Sequence, residues 1–285
     1  MKKILYTLLA LLLAACAKEP TQAQQNTNKN VPLVKDVQQI SYQRNDGKQI
    51  TIYGEIIAPK DYQQRQLPLV ILSTGFGSSL DFVAHPYAEA IAEKQYVTYS
   101  FDFYGGNDGS RSGGSMTEMS PFTEADDLTA VLNYLREKPF VDKNNIYLFG
   151  FSQGGVVSSI VGTQNPDKLK GMILINTAFM LFDNARNAFP TVSHIPPTST
   201  FLGKTIGKVY FERALSYDIY AELPKFNKKV LIIQGEKDNL VPLQCAQQAQ
   251  RTFPNATLKI IPNGGHIFTN KQNAILIPYI KEYLK

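Results

Sequence analysis

Six short runs of strand length along the chain are predominantly apolar, at residues 69–73, 96–103, 146–151, 171–175, 230–234 and 258–261. A strand that is apolar on both faces must be covered on both, which is the condition of a parallel sheet between helical layers. The intervening segments have apolar positions at helical spacing. The clearest begins at Ser120, a predicted N-cap, with Pro121 in the first helical position and Glu124, Asp126 and Asp127 near the positive end of the helix dipole. Leu128, Val131, Leu132 and Leu135 form its apolar stripe, and it is expected to end near Pro139. Further helices are predicted at 86–94, 154–164, 243–252 and 272–283. Two β-rich segments, 39–44 and 49–58, precede this series and flank the turn Asn45-Asp46-Gly47, which predicts a hairpin at a sheet edge. The alternation predicts an α/β fold with a mostly parallel, doubly wound central sheet flanked by helices.

One stretch breaks the rhythm. Residues 178–223 contain no predicted strand and are rich in Phe179, Met180, Phe182, Phe189, Phe201, Tyr210 and Phe211, interrupted by His194-Ile195-Pro196-Pro197. An insertion of this length between two strands of a compact domain is usually functional, so it is expected to cap a site.

The opening residues have a different pattern. Lys2 and Lys3 precede an apolar run from Ile4 to Leu13 that closes on Ala14 and Ala15. This run is too short for a spanning helix and has the order of a signal peptide, so residues 1–15 are expected to be removed on export. Leu13-Ala14-Ala15-Cys16 resembles a bacterial lipobox, which implies lipidation of Cys16. Ala17, rather than an aspartate, then points to the outer membrane of a Gram-negative cell envelope. Residues 16–37, rich in Gln, Asn, Thr and Lys, are expected to form a flexible tether, with the catalytic domain over 38–285.

Composition adds that 44% of residues are hydrophobic and 19% charged, enough for a large core. The formal charge is +5, of which Lys2 and Lys3 leave with the leader. The remaining +3 is small and scattered along the chain and does not point to a nucleic-acid partner. The only cysteine besides Cys16 is Cys245, read as a buried apolar residue.

The chemistry centres on Gly150-Phe151-Ser152-Gln153-Gly154, placed where a strand must turn sharply into a helix. Such a turn projects the serine hydroxyl from the sheet edge, and the flanking glycines leave room for it. A serine needs a base to act as a nucleophile near neutral pH. Of the three histidines, His266 follows the last predicted strand, whereas His85 and His194 lie in contexts that favour packing or solvation. Asp238, after the strand at 230–234, is the carboxylate expected to orient His266, with Glu236 a nearby competitor. The order Ser152, Asp238, His266 is that of the α/β-hydrolases. The expected oxyanion donors are the N–H groups of Gln153 and of Phe76, the latter in the glycine-bearing loop after the strand at 69–73.

These segments resemble the cinnamoyl and feruloyl esterases of intestinal bacteria, within a wider group of serine aminopeptidase-like and monoglyceride-lipase-like hydrolases. The resemblance runs from about residue 38 onward and rests on Gly75-Phe76-Gly77, GFSQGG, GKTIGKVYFERALSYDIY at 203–220, and QGEKDNLVP leading to GGH. It implies an α/β-hydrolase acting without a cofactor or metal on small, aromatic or hydroxycinnamoyl esters, with Asp183 and Asn184 as substrate-binding residues. A peptidase or a lipase would share the same triad. A surface lipoprotein that kept the fold without catalysis is the alternative of another class.

Overall fold

The computed structural model describes residues 32–285. The expectations for the leader, for Cys16 and for the first part of the tether lie outside these residues. Residues 31–285 form one compact unit that contains every described strand and both hydrophobic cores, so this part of the chain carries its own folding information.

The strands are β1 (Leu33–Gln43), β2 (Gln49–Pro59), β3 (Leu67–Ser73), β4 (Val97–Phe101), β5 (Val141–Phe151), β6 (Gly171–Ile175), β7 (Thr198–Phe201), β8 (Lys204–Gly207), β9 (Lys229–Gly235) and β10 (Ala256–Ile261). The helices are α1 (Leu80–Ala92), α2 (Pro121–Arg136), α3 (Gln153–Gln164), α4 (Leu181–Ala188), α5 (Val209–Glu212), α6 (Ile219–Glu222), α7 (Leu243–Thr252) and α8 (Asn270–Tyr283). Eight strands make one sheet in the order β1-β2-β4-β3-β5-β6-β9-β10. Only the pairings of β1 with β2 and of β2 with β4 are antiparallel.

Five of the six apolar runs have the origin expected of them; the sixth falls in β10, an edge strand on which Ile260 is exposed. Along β3, Leu69 and Ile71 pack into one core with α2 and α3, while Val70 and Leu72 pack into a second core with α1 and α8. A strand clamped between two helical layers has no solvent face to mark with polar residues. At α2 the cap is reciprocal: Ser120 Oγ accepts from Thr123 N at 3.2 Å, and Thr123 Oγ1 accepts from Ser120 N at 2.8 Å.

Three expectations are corrected. The tether was expected to reach residue 37, yet β1 is already paired at Leu33, opposite Pro59. Its outward residues, Val37 excepted, are polar at an exposed edge, so the segment resembles a linker in composition. Helix α1 begins at Leu80 rather than near Pro86, because Asp102 Oδ1 accepts the Leu80 N–H at 2.8 Å and fixes the first turn. The insertion also contains a two-stranded hairpin, β7 with β8, which turns through Leu202 and Gly203, at φ 46° and 76°. Paired positive φ values are what a tight hairpin requires, and strands of only four residues, TSTF and KTIG, leave no apolar run to detect.

Candidate active site

β5 ends at Phe151 and α3 begins at Gln153, so Ser152 alone makes the turn. It does so at φ 54°, in the left-handed region, a strained conformation that costs about 1–3 kcal/mol. The surrounding backbone holds it there. Ser152 N donates to Ile175 O at 2.9 Å, and Ser152 O accepts from Gly155 N at 3.1 Å and from Ala178 N at 3.2 Å. The glycines are required by close approach. A Cβ at Gly150 would lie 2.3 Å from Gly154 O, and one at Gly154 would lie 2.3 Å from Thr74 O.

The ends of β5, β6, β9 and β10 line up at one edge of the sheet, and three loops bring the remaining groups to Ser152. His266, on the loop between β10 and α8, has Nε2 at 3.1 Å from Ser152 Oγ and Nδ1 at 2.8 Å from Asp238 Oδ2. The side chain of Asp238 is fully buried. Its Oδ1 accepts from Leu240 N at 2.9 Å and Val241 N at 2.8 Å, and its Oδ2 also accepts from Gln234 Nε2 at 3.3 Å. Burial of a carboxylate is tolerated because these donors satisfy its charge. Glu236 turns elsewhere and accepts from Asn263 N at 2.8 Å. His85 pairs with Glu55 at 3.0 Å and His194 with Thr191 at 2.8 Å, so neither reaches the serine.

Phe76 and Gln153 flank Ser152 at the mouth of the cavity, and among the described residues neither backbone N–H has an acceptor. A Cβ on neighbouring Gly75 would come within 3.1 Å of Ser152 Cβ, so glycine is what lets this loop lie against the serine. The cavity has a volume of about 400 Å3. The cap supplies most of its walls, through Met180, Leu181, Phe189, Phe201, Tyr210 and Phe211, with Asn184, Ser199 and Thr200 as its polar points.

The two expected substrate contacts separate here. Asn184 lines the cavity, whereas Asp183 lies outside the lining, with its side chain 58% exposed and paired to Arg186 at 2.7 Å. The reason is helical geometry: Leu181, Asn184, Ala185 and Ala188 form the stripe of α4 that faces the cavity, and Asp183 falls off it.

Two further groups had no clear signal in the sequence. Asn176, at φ 45° just after β6, accepts from Gly235 N at 2.8 Å and donates to His266 O at 2.7 Å and Gly265 O at 3.2 Å. It therefore joins the loops that carry Asp238 and His266. The Gln153 side chain donates to Glu124 Oε2 at 2.8 Å and accepts from Tyr210 OH at 2.6 Å, so one amide connects α2, the nucleophile turn and the cap. Glu124, read above as a helix-dipole residue, is buried, and desolvation pushes its carboxyl up to about 8. Asp127 is buried too, accepts from Tyr42 OH and Tyr104 N, and is pushed up by burial to about 7. Cys245 is a half-buried free thiol packed at the edge of the core.

An eight-stranded, mostly parallel sheet with helices on both faces and a strand-turn-helix serine at its carboxyl edge defines an α/β-hydrolase. The chain belongs to the prolyl oligopeptidase family, Peptidase_S9, which matches residues 87–283, and it is a hydrolase of that superfamily. The α/β-hydrolase domain-containing protein WAV2 of Arabidopsis thaliana is 30% identical over half of this chain, a match that spans only 47% of WAV2. A protein of Caulobacter sp. (strain K31) described as the carbamate hydrolase RutD is 25% identical over 70% of this chain and 84% of its own length. Among solved structures, Est1E from Butyrivibrio proteoclasticus with ferulic acid bound superposes with a TM-score of 0.76 at 24% identity, covering 85% of this chain and 97% of Est1E. That likeness shows the shared fold.

Proposed function

We propose that the chain is a serine carboxylic-ester hydrolase that works through an acyl-enzyme. The observation that carries this reading is the Asp238–His266–Ser152 hydrogen-bond relay opening into a mostly apolar cavity beside two backbone N–H groups without acceptors. Ser152 Oγ attacks the ester carbonyl as its proton passes to His266 Nε2, and Asp238 stabilises the imidazolium through Nδ1. The carbonyl oxygen, now an oxyanion, accepts from Gln153 N and Phe76 N, each worth about 3 kcal/mol in such sites. Collapse of the intermediate breaks the carbon–oxygen bond to the leaving alcohol, which takes the proton from His266. Water then attacks the acyl-serine with His266 as base, and the acid is released.

For substrate we propose small or aromatic acyl groups, hydroxycinnamoyl among them. A cavity of about 400 Å3 walled by Phe189, Phe201 and Phe211 suits a flat aromatic acyl chain, and Asn184, Ser199 and Thr200 offer partners for a phenolic hydroxyl. The ferulic acid held by Est1E supports the same reading. The family description favours a second reading, a peptidase. An aminopeptidase needs an anion for the substrate's ammonium group, yet Asp183, Glu212, Asp218 and Glu222 all lie outside the cavity lining. Asp183, Glu212 and Glu222 are paired to Arg186, Lys208 and Lys225, and Asp218 caps α6.

The deciding assay is turnover of p-nitrophenyl acetate through laurate, methyl ferulate and an aminoacyl-anilide by residues 22–285 and by the Ser152→Ala variant. Turnover of short-chain esters and methyl ferulate, reduced by about six orders of magnitude in kcat in Ser152→Ala, is the expected result. Preference for the anilide establishes the peptidase, preference for laurate a lipase, and absence of turnover sinks the catalytic reading. We also propose that Cys16 is lipidated and holds the enzyme in a bacterial envelope, at the outer membrane of a Gram-negative cell. Mass spectrometry of the amino-terminal peptide from membrane fractions tests this, and an unmodified Cys16 overturns it.

A further inference from the structure

The sheet edge opposite Ser152 carries a second concave surface, a groove of about 500 Å3. The segments that lead into the parallel strands build it, with Lys168 and Lys170 before β6 and Lys228 and Lys229 at the start of β9. Arg136 and Lys143 also line it and share Glu137, at 3.5 Å and 2.6 Å. Asp167 is the one carboxylate side chain in the lining. Lys168, Lys170, Lys228 and Lys229 have no carboxylate within ion-pair distance among the described residues. Lys168 Nζ donates to Asn133 Oδ1 at 2.8 Å. Gathering like charges from separate loops opposes folding, and the single side-chain carboxylate of the lining, Asp167, offsets only part of the repulsion.

A second, independent observation concerns where the chain joins the domain. β2 runs antiparallel to β4, with Gly54 opposite Phe101 and Ile57 opposite Thr98, so its last residue lies at the edge where the parallel strands begin. Leu33 is paired with Pro59 at that edge, and Lys60 N donates to Pro32 O at 2.8 Å. The described chain therefore enters the domain, at Pro32 and Leu33, on the lysine side of the sheet.

We propose that this lysine edge is a docking surface for the anionic phospholipid headgroups of a bilayer, and that it holds the domain with the mouth beside Ser152 turned away from the membrane. Exposed ammonium groups meeting a surface of phosphate charge release counterions on both sides, and each lysine near such a surface contributes about fivefold to partition. The groove's lining is polar, as headgroup contact requires, while the exposed apolar side chains Leu202 and Leu240 lie at the opposite edge, beside the catalytic cavity. The binding stands without the lipid on Cys16; the orientation on a native membrane rests on that anchor.

The test is sedimentation of residues 22–285, which lack Cys16, with vesicles of phosphatidylethanolamine and phosphatidylglycerol or of phosphatidylcholine alone. The protein is expected to sediment with the anionic vesicles at low salt, to be released at high salt, and to ignore phosphatidylcholine. The variant Lys168→Gln/Lys170→Gln/Lys228→Gln/Lys229→Gln is expected to lose more than about 100-fold in partition, with ester turnover unchanged and the melting temperature not lowered. A control, Lys204→Gln/Lys208→Gln/Lys237→Gln/Lys271→Gln, removes the same charge from the opposite edge and is expected to keep binding. Equal loss in the control, undiminished binding by the first variant, or equal binding to phosphatidylcholine overturns the proposal. So does saturable stabilisation by inorganic phosphate without vesicle binding, which would make the groove a pocket for soluble anions. The mass of the Cys16 peptide is read separately, so failure of the anchor and failure of the docking surface are told apart.

Discussion

Asn176 and Gln153 each use a single amide to fix geometry that the chain cannot otherwise hold. Asn176 spans the two loops that carry Asp238 and His266, with all three of its side-chain hydrogen bonds to backbone atoms. Removing it leaves the Gly235 N–H and two carbonyls without this partner in a buried setting. Asn176→Ala is expected to lower stability by about 2–4 kcal/mol by denaturant titration. Because His266 loses its register and the cavity keeps its walls, kcat should fall while KM for a p-nitrophenyl ester stays within about twofold. A fall in stability with kcat intact would show that Asn176 serves the fold alone.

At the scale of the element, α2 and the cap behave differently. α2 is fixed locally by the reciprocal hydrogen bonds of Ser120 and Thr123, so Ser120→Ala is expected to cost about 1 kcal/mol in chemical unfolding, without effect on turnover. The cap is held by long-range packing. The Phe76 ring meets Phe201 at 5.0 Å and Tyr210 at 5.8 Å, Tyr210 bonds Gln153, and Lys204 pairs with Asp108 at 2.7 Å. Phe189 is a wall of the cavity and packs edge-on against Phe211 at 4.9 Å. Phe189→Ala should enlarge the cavity and move the preferred acyl chain towards longer p-nitrophenyl esters, by about tenfold in the laurate-to-acetate ratio of kcat/KM. An unchanged ratio would place the acyl group elsewhere.

For the whole molecule, the two buried carboxyls of α2 set a pH dependence. Burial pushes Glu124 up to about 8 and Asp127 up to about 7, far above the ordinary carboxylate range. Between that range and these values, the unfolded chain has released protons that the folded chain still holds. Stability attributable to these groups is therefore full only below the ordinary carboxylate range, declines as pH rises from there, and levels off above the folded values of about 7 and 8. Thermal unfolding should show this decline. Glu124→Gln, whose side-chain oxygen can still accept from Gln153, should flatten it, gaining on the order of a few kcal/mol at pH 9 relative to pH 5. A parallel pH profile in the variant would assign the dependence to other groups.

The sequence alone determined what short-range patterns encode. Apolar runs marked the buried strands because residues facing both helical layers must be apolar, and β6 appears at the residues its run marked, Gly171–Ile175. The glycines around Ser152 are legible because the sharp turn leaves no room for a Cβ. The Ser152, Asp238 and His266 set could be named because a hydroxyl, a base and an orienting carboxylate each stand just after a strand. Tertiary structure decided everything that depends on which side of an element faces inward. It chose Asn184 over Asp183, turned Glu124 from a dipole partner into a buried link to Gln153, and gave Asn176 its place between two loops. It also gathered Lys168, Lys170, Lys228 and Lys229 in one groove, though the pairs are about sixty residues apart in the chain. Local spacing records the period of a helix or strand, whereas a partner many residues away leaves no trace in that period. Contacts across the sheet and beneath the cap exist only once the chain has closed on itself.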